Sequence, residues 1–206
     1  MDRSFPTSGC KGEAAVAQRS GTVPDLSGSW RGETVWAIGH STHPLPEFIG
    51  LLEAHGIEVL CDVRTVPRSR AQPQFNLETL PAALAREGIH YAHLGALGGR
   101  RYGFGASSPN AAWRNANFRG YADHMLSESF EEGLLALRAL MRERGRTALM
   151  CAEGMRWRCH RSLIADVLVA RGAEVLHIAS RVRAVPHTLT PFATVWRGYV
   201  GYPPPA

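Results

Sequence analysis

Lysine is almost absent from this chain of 206 residues: of 23 basic side chains only Lys11 is a lysine, and the rest are arginines. The formal charge of +5 is therefore carried by guanidinium groups, which grip carboxylate and phosphate as planar forks. Basic charge marks an anionic partner only where it clusters, and a composition rich in Arg, Ala and Gly also follows from a GC-rich coding sequence. Cysteine is scarce as well. Four residues, Cys10, Cys61, Cys151 and Cys159, with no C-x-x-C pair, argue against a secreted disulfide scaffold and for reduced thiols. No apolar run approaches the ~18 residues that span a bilayer. The N-terminus lacks the charged-then-apolar pattern of a secretory leader, so the expected compartment is the cytoplasm.

What is present fits one globular domain: 45% hydrophobic and 20% charged residues on a chain long enough to bury a core. Residues 1–33 are polar and hold no sustained periodicity, and they are expected to form a flexible extension that includes Cys10. The domain is expected over 34–195, with a C-terminal tail at 196–206.

Within the domain, apolar strands alternate with amphipathic segments. Val35 to Ile38 reads as a buried strand entering Gly39-His40-Ser41-Thr42, where Ser and Thr suit a helix cap. A helix beginning near Pro46 follows. Ile57 to Val63 is a second strand, in which Cys61 and Val63 face one way and Asp62 and Arg64 the other. A helix over Leu77 to Arg86, capped by Asn76, leads to a third strand at Ile89 to Leu94. Residues 95–117 are irregular, and a loop of this length suggests function or disorder. Here and just beyond, Tyr102, Phe104, Trp113, Phe118 and Tyr121 interleave with Arg100, Arg101, Arg114 and Arg119, a mixture that stacks bases and holds phosphates and also packs ordinary loops. Helical spacing from Tyr121 to Arg144, in one or two pieces, precedes a fourth strand, and Glu174 to Ile178 gives a fifth. The expected fold class is α/β: a single three-layer domain with a mostly parallel sheet of about five strands flanked by helices. The loops after the first four strands then share one edge.

The most informative of those loops lies in Thr147 to Arg171. An apolar strand ends at Cys151, a loop carries Glu153, Arg156, Arg158, Cys159, His160 and Arg161, and a helix follows with Leu163, Ile164, Val167 and Leu168. Such strand-loop-helix junctions are where open α/β sheets bind ligands, and helix N-termini there favour anions. Three arginines at 64, 68 and 70 would make a second anion fork, or a solvated loop paired to Asp62.

The segments GHS at 39–41, CDVRTVPRSR at 61–70, WRN with FRGYADHM within 113–125, and MCAEGMRWRCHRSLIAD at 150–166 resemble the domain of unknown function 488 family, over about Trp36 to Phe192. The resemblance implies an α/β domain with signature positions at Gly39, His40, Asp62, Arg64, Pro67, Arg70, Cys151, Glu153, Cys159, His160 and Arg161. It implies no reaction.

Three chemistries compete. The first is an enzyme with a reactive cysteine acting on an anionic substrate, a nucleotide or nucleic acid. A thiolate near a helix start and arginines has a depressed pKa; Cys151 or Cys159 would attack and the other resolve. Glu153 or His160 would serve as acid or base, and Asp62 would orient His40. Arg64, Arg70 and Arg161 would hold the substrate, with Ser41, Arg114, Arg119 and Tyr121 as further contacts. Cys151 to Arg156 has the C-x4-R spacing of a rhodanese-like anion loop, although Glu153 inside it opposes an anion. The second is zinc or iron at Cys151, Cys159 and His160, with Cys61 or His40. The third is a non-catalytic nucleotide or nucleic-acid module using the same arginines. The plain alternative is that both cysteines pack under the sheet edge.

Overall fold

A computed structural model describes residues 23–205; Cys10 and most of the expected N-terminal extension lie outside them. The chain forms β1 (Thr34–Gly39), α1 (Leu45–Ala54), β2 (Val59–Asp62), α2 (Leu80–Arg86), β3 (His90–His93), α3 (Ala116–His124), α4 (Glu128–Arg144), β4 (Thr147–Cys151), α5 (Arg161–Ala170), β5 (Glu174–Ser180), β6 (Arg183–Pro186), β7 (Thr194–Trp196) and β8 (Tyr199–Gly201). The main sheet runs β3-β2-β4-β1-β5-β6, and β7 and β8 make a separate hairpin. Its first five strands are parallel and β6 is antiparallel to β5, so the sheet has six strands where five were expected. No helix among the described residues is long and apolar enough to cross a membrane.

Alternation along the strands sorts side chains into two layers. Ile38, Leu60, Ala148 and Met150 face α1 and α2, where they meet Phe48, Leu52, Leu80 and Leu84. Val35, Cys61, Leu149, Cys151 and Val175 face the opposite layer, with Tyr121 of α3, Phe130 and Leu134 of α4, and Leu163 and Ile164 of α5. The chain leaves β1 toward one side of the sheet and leaves β4 toward the other. The crevice between the C-terminal ends of β1 and β4 is thus the topological switch point, where open α/β sheets bind ligands.

Several local expectations are corrected. Neither Ser41 nor Thr42 caps α1, whose N-cap is Pro44 without a side-chain bond. Asn76 does not cap α2; its Oδ1 accepts the Ser69 amide at 2.6 Å, which shapes the arginine loop. The expected extension reaches too far, because Trp30 is buried in the α5 layer. The C-terminal tail is also part of the core: Tyr202 is fully buried and its hydroxyl donates to Asp166 at 2.7 Å. The helical stretch after Tyr121 is indeed broken in two, with Ser127 capping α4 by accepting the Phe130 amide.

Candidate functional site

Residues at the ends of β1, β2 and β4 meet because the three strands lie side by side. Behind β2, buried Asp62 accepts from the Arg64 amide (3.0 Å), from Arg64 Nε (2.9 Å) and Nη2 (2.5 Å), and from the Tyr91 hydroxyl (2.8 Å). Arg64 Nη2 also donates to the Phe75 carbonyl at 2.6 Å. Its Nη1 lies 3.4 Å from His40 Nε2. His40 donates from Nδ1 to the Ser41 carbonyl (2.9 Å) and stacks on Phe75 with centroids 4.2 Å apart. Burial pushes His40 down to about 4, so it is neutral and its Nε2 accepts from Arg64. The expected Asp62–His40 contact is therefore replaced by a relay through Arg64.

The two thiols lie closest to each other. Cys151 Sγ, at the end of β4, is 2.6 Å from Cys159 Sγ, just before α5. Burial drives the Cys151 thiol upward, but the hydrogen bond from Cys159 and the charge of Arg161 outweigh it and hold Cys151 below its ordinary value. The same hydrogen bond, with burial, pushes Cys159 well above its own. The Arg161 amide donates to Cys159 Sγ at 3.4 Å, which moderates that rise without reversing it. His160 donates from Nε2 to the Val63 carbonyl (2.9 Å), leaving Nδ1 bare and 3.7 Å from Cys159 Sγ; burial lowers this imidazole to about 4. Gly99 presses on the same ring, where a Cβ would lie 2.4 Å from Nδ1. Gly39 has a comparable reason to be glycine: its Cβ would fall 1.9 Å from the Glu153 carbonyl.

Above the thiols opens a cavity of about 850 Å³, lined by Cys151, Glu153, Cys159 and His160 and by five arginines, Arg64, Arg68, Arg70, Arg100 and Arg158. Asn115, Asn117 and Phe118 close its far side. Glu153 is the one acidic residue in that lining. Arg64 is mostly consumed by Asp62, Phe75 and His40, and one Nη1 hydrogen remains for the cavity. Arg68 is shared with Glu78 in an exposed pair, whereas Arg70 is exposed. Arg100 and Arg158 stand in the loops that the sequence marks out, although not among its candidate site residues, and the arginines there were the available signal; Asn115 and Asn117 join the lining with no such signal.

The other candidates lie elsewhere. Tyr121 is fully buried and donates to the Leu97 carbonyl at 2.9 Å, so it supports the wall and offers nothing to a substrate. Arg114 is exposed and Arg119 half-buried, and neither lines the cavity. Arg161 is buried, with Nη1 on the Ile38 carbonyl and Nη2 on the Glu153 carbonyl. Arg161 and Ser41 face a second, smaller cavity, and so does Arg156. The Cys151-to-Arg156 spacing therefore forms no anion cradle around the sulfur. The fold-back of the C-terminal segment buttresses the wall: Trp113 stacks on Phe118 and meets Phe192 and Tyr202.

Among the described residues no group of three or more His, Cys, Asp or Glu is arranged to hold a metal. Cys61 points into the α4 layer, where burial raises it to about 12.

A family model covers residues 44–168, from the start of α1 through most of α5. The chain belongs to the family described as domain of unknown function DUF488. No curated protein and no solved structure matches it. Asp62, Arg64, Arg70, Cys151, Glu153, Cys159, His160 and Arg161 fall inside the matched span, and Gly39, His40 and Ser41 lie just before it.

Proposed function

We propose that this protein is a thiol-dependent enzyme in which Cys151 attacks an anionic, nucleotide-sized substrate held by Arg70, Arg100 and Arg158. The observation that carries this reading is the Cys151–Cys159 pair at the cavity floor beside buried Arg161, which has no carboxylate partner among the described residues. A buried guanidinium without a counter-charge costs several kcal/mol, and a thiolate on Cys151 supplies that charge. The electron pair of Cys151 forms the new bond to the electrophilic atom of the substrate. The bond to the leaving group breaks, and the leaving group takes the electron pair and the Cys159 proton. Where the attacked atom is sulfur, the resulting Cys159 thiolate displaces it from Cys151. That step closes a disulfide, releases the reduced substrate thiolate, and requires an external thiol to regenerate the pair.

The test is iodoacetamide labelling against pH, resolved by residue with mass spectrometry. Labelling of Cys151 with an apparent pKa below the usual ~8.5, suppressed by a nucleotide, is the expected result. Labelling of neither cysteine until the chain is denatured overturns the proposal. The second reading, a non-catalytic binder of the same anions, is favoured by the five arginines around the open cavity. It is distinguished by nucleotide or nucleic-acid affinity that falls steeply with salt while substitution of Cys151→Ser leaves every measurable function intact.

A further inference from the structure

Three large aromatic side chains stand in solvent on the loops beside the thiol cavity: Trp157 is 66% exposed, Phe104 59% and Tyr102 fully. None of them belongs to either core layer. Their backbones are nevertheless fixed. Trp157 lies in the 3₁₀ turn Arg156–Arg158, closed by the Arg158 amide on the Met155 carbonyl at 3.1 Å and the Cys159 amide on the Arg156 carbonyl at 3.2 Å. The loop after Tyr102 is pinned by buried Asp123, which accepts from the Phe104 amide at 2.8 Å, the Ser108 hydroxyl at 2.5 Å and Asn110 Nδ2 at 2.9 Å. A ring held out in water on an ordered backbone exposes apolar surface that a partner removes, at little further cost in ordering.

The sheet order places these rings on opposite sides of the thiols. Arg100, Tyr102 and Phe104 follow the edge strand β3, which lies beyond β2 from β4. Trp157 lines the smaller cavity with Ile38 of β1 and Ile178 of β5, on the other side of β4. Between them runs the larger cavity with Cys151 and Cys159 in its lining, and the arginines next to the exposed rings, Arg100 and Arg158, line it too. Arg70, Arg100 and Arg158 are exposed and pair with no carboxylate among the described residues. Along the sheet edge the order is thus ring, guanidiniums, thiol pair, guanidinium, ring.

From this order we infer that the nucleotide proposed for the larger cavity is one residue of a single-stranded nucleic acid. Its neighbours on either side stack their bases on Tyr102 and Trp157, and the phosphates between them meet Arg70, Arg100 and Arg158. Exposed aromatic rings alternating with cationic groups are the means by which proteins grip an unpaired strand largely without reading its sequence. A duplex is disfavoured, because each of its bases is already stacked and paired and offers no open face to the rings. A bilayer surface also attracts arginine and tryptophan, but a flat headgroup layer does not descend into a cavity of about 850 Å³ lying between the rings, whereas a flexible strand does. The inference rests on the nucleotide reading of the larger cavity and is independent of the thiol step.

The experiment measures binding of the full chain, at one fixed salt concentration, to fluorescein-labelled oligothymidylate of about twelve nucleotides. Thymidine monophosphate, the same strand in a duplex, and anionic phospholipid vesicles serve as competitors. The strand is expected to bind at least about tenfold more tightly than the monophosphate, the worth of one base stack, and the duplex and vesicles to compete weakly. Tyr102→Ala and Trp157→Ala should each weaken the strand by about tenfold and leave the monophosphate unaffected, with Trp157→Phe restoring the stack. Arg70→Ala with Arg100→Ala should weaken strand and monophosphate together. A strand no tighter than its monophosphate overturns the inference and leaves the nucleotide reading standing; failure of both to bind removes that reading as well. Ring variants that bind the strand like the parent, or a duplex or vesicle that displaces it efficiently, overturn the inference too.

Discussion

Cys159 Sγ lies 3.7 Å from His160 Nδ1, and the opposite nitrogen of that ring is tied to the Val63 carbonyl at 2.9 Å. The backbone of β2 therefore fixes the tautomer that faces the thiol, and neighbouring residues in the sequence act as a pair only because α5 starts beside β2. Gly99 holds the ring from the other side. Gly99→Ala would place a Cβ 2.4 Å from Nδ1 and must displace the imidazole. The expected outcome is a loss of about 1–3 kcal/mol, the usual cost of overpacking, measured by urea denaturation, together with an altered pH profile of Cys151 alkylation. An unchanged stability and profile would mean that the loop at 98–100 yields freely.

Acid should weaken the fold through its buried imidazoles. His40 and His160 are held down to about 4 and His177 to about 3, whereas an unfolded histidine titrates near 6.5. Their native pKa values are depressed, so the unfolded chain binds more protons as pH falls. The stability they contribute is fully present above ~6.5 and is lost progressively down to about 4. The loss is on the order of 2–3 kcal/mol for each imidazole. Denaturant midpoints measured at intervals between neutral pH and about 4.5 check this, and a flat profile through that window would contradict the neutral, buried assignment.

Asp62 is expected to be less replaceable than any proposed catalytic group. It receives Arg64 through three nitrogens and the Tyr91 hydroxyl while fully buried. Asp62→Asn keeps the shape and strands the Arg64 guanidinium without its anion, a change that costs about 3–5 kcal/mol when a buried pair is broken. Thermal unfolding should register it as a large drop in Tm. Glu153→Gln, on the exposed loop, should leave Tm within a degree or two, as surface changes do.

The alternation of apolar strands with amphipathic helices made the α/β sheet legible, because period-2 and period-3.6 patterns report which side of an element is buried. The shared loop edge followed from parallel strands. What the chain did not disclose depends on contacts distant in sequence. Arg64 looks like a free anion fork until Asp62, Phe75 and His40 are seen to take its donors. Arg161 belongs by position to the thiol loop, yet its side chain crosses under Glu153 to a different cavity. Tyr121 sits among basic residues in the sequence and points into the core. Asp166, His187 and Tyr202 are separated by up to 36 residues, so no local pattern announces their cluster. The six-residue strand β1 was legible; the short β6, β7 and β8, formed in a polar and proline-containing segment, were not.

Trp30 tests where the domain begins. It precedes β1 by four positions in a polar stretch that reads as an extension, yet it is buried against the α5 layer. Its amide donates to the Arg171 carbonyl at 2.9 Å, and the Arg138 guanidinium stands 5.3 Å over its ring. Removing a buried indole costs the lost transfer energy and leaves a cavity, so Trp30→Ala should destabilise the protein by about 3–5 kcal/mol. Trp157, exposed on the loop above the smaller cavity, is the internal comparison: Trp157→Ala should cost under about 1 kcal/mol. Equal midpoints for the two variants in urea would place Trp30 outside the cooperative core and move the start of the domain back to β1.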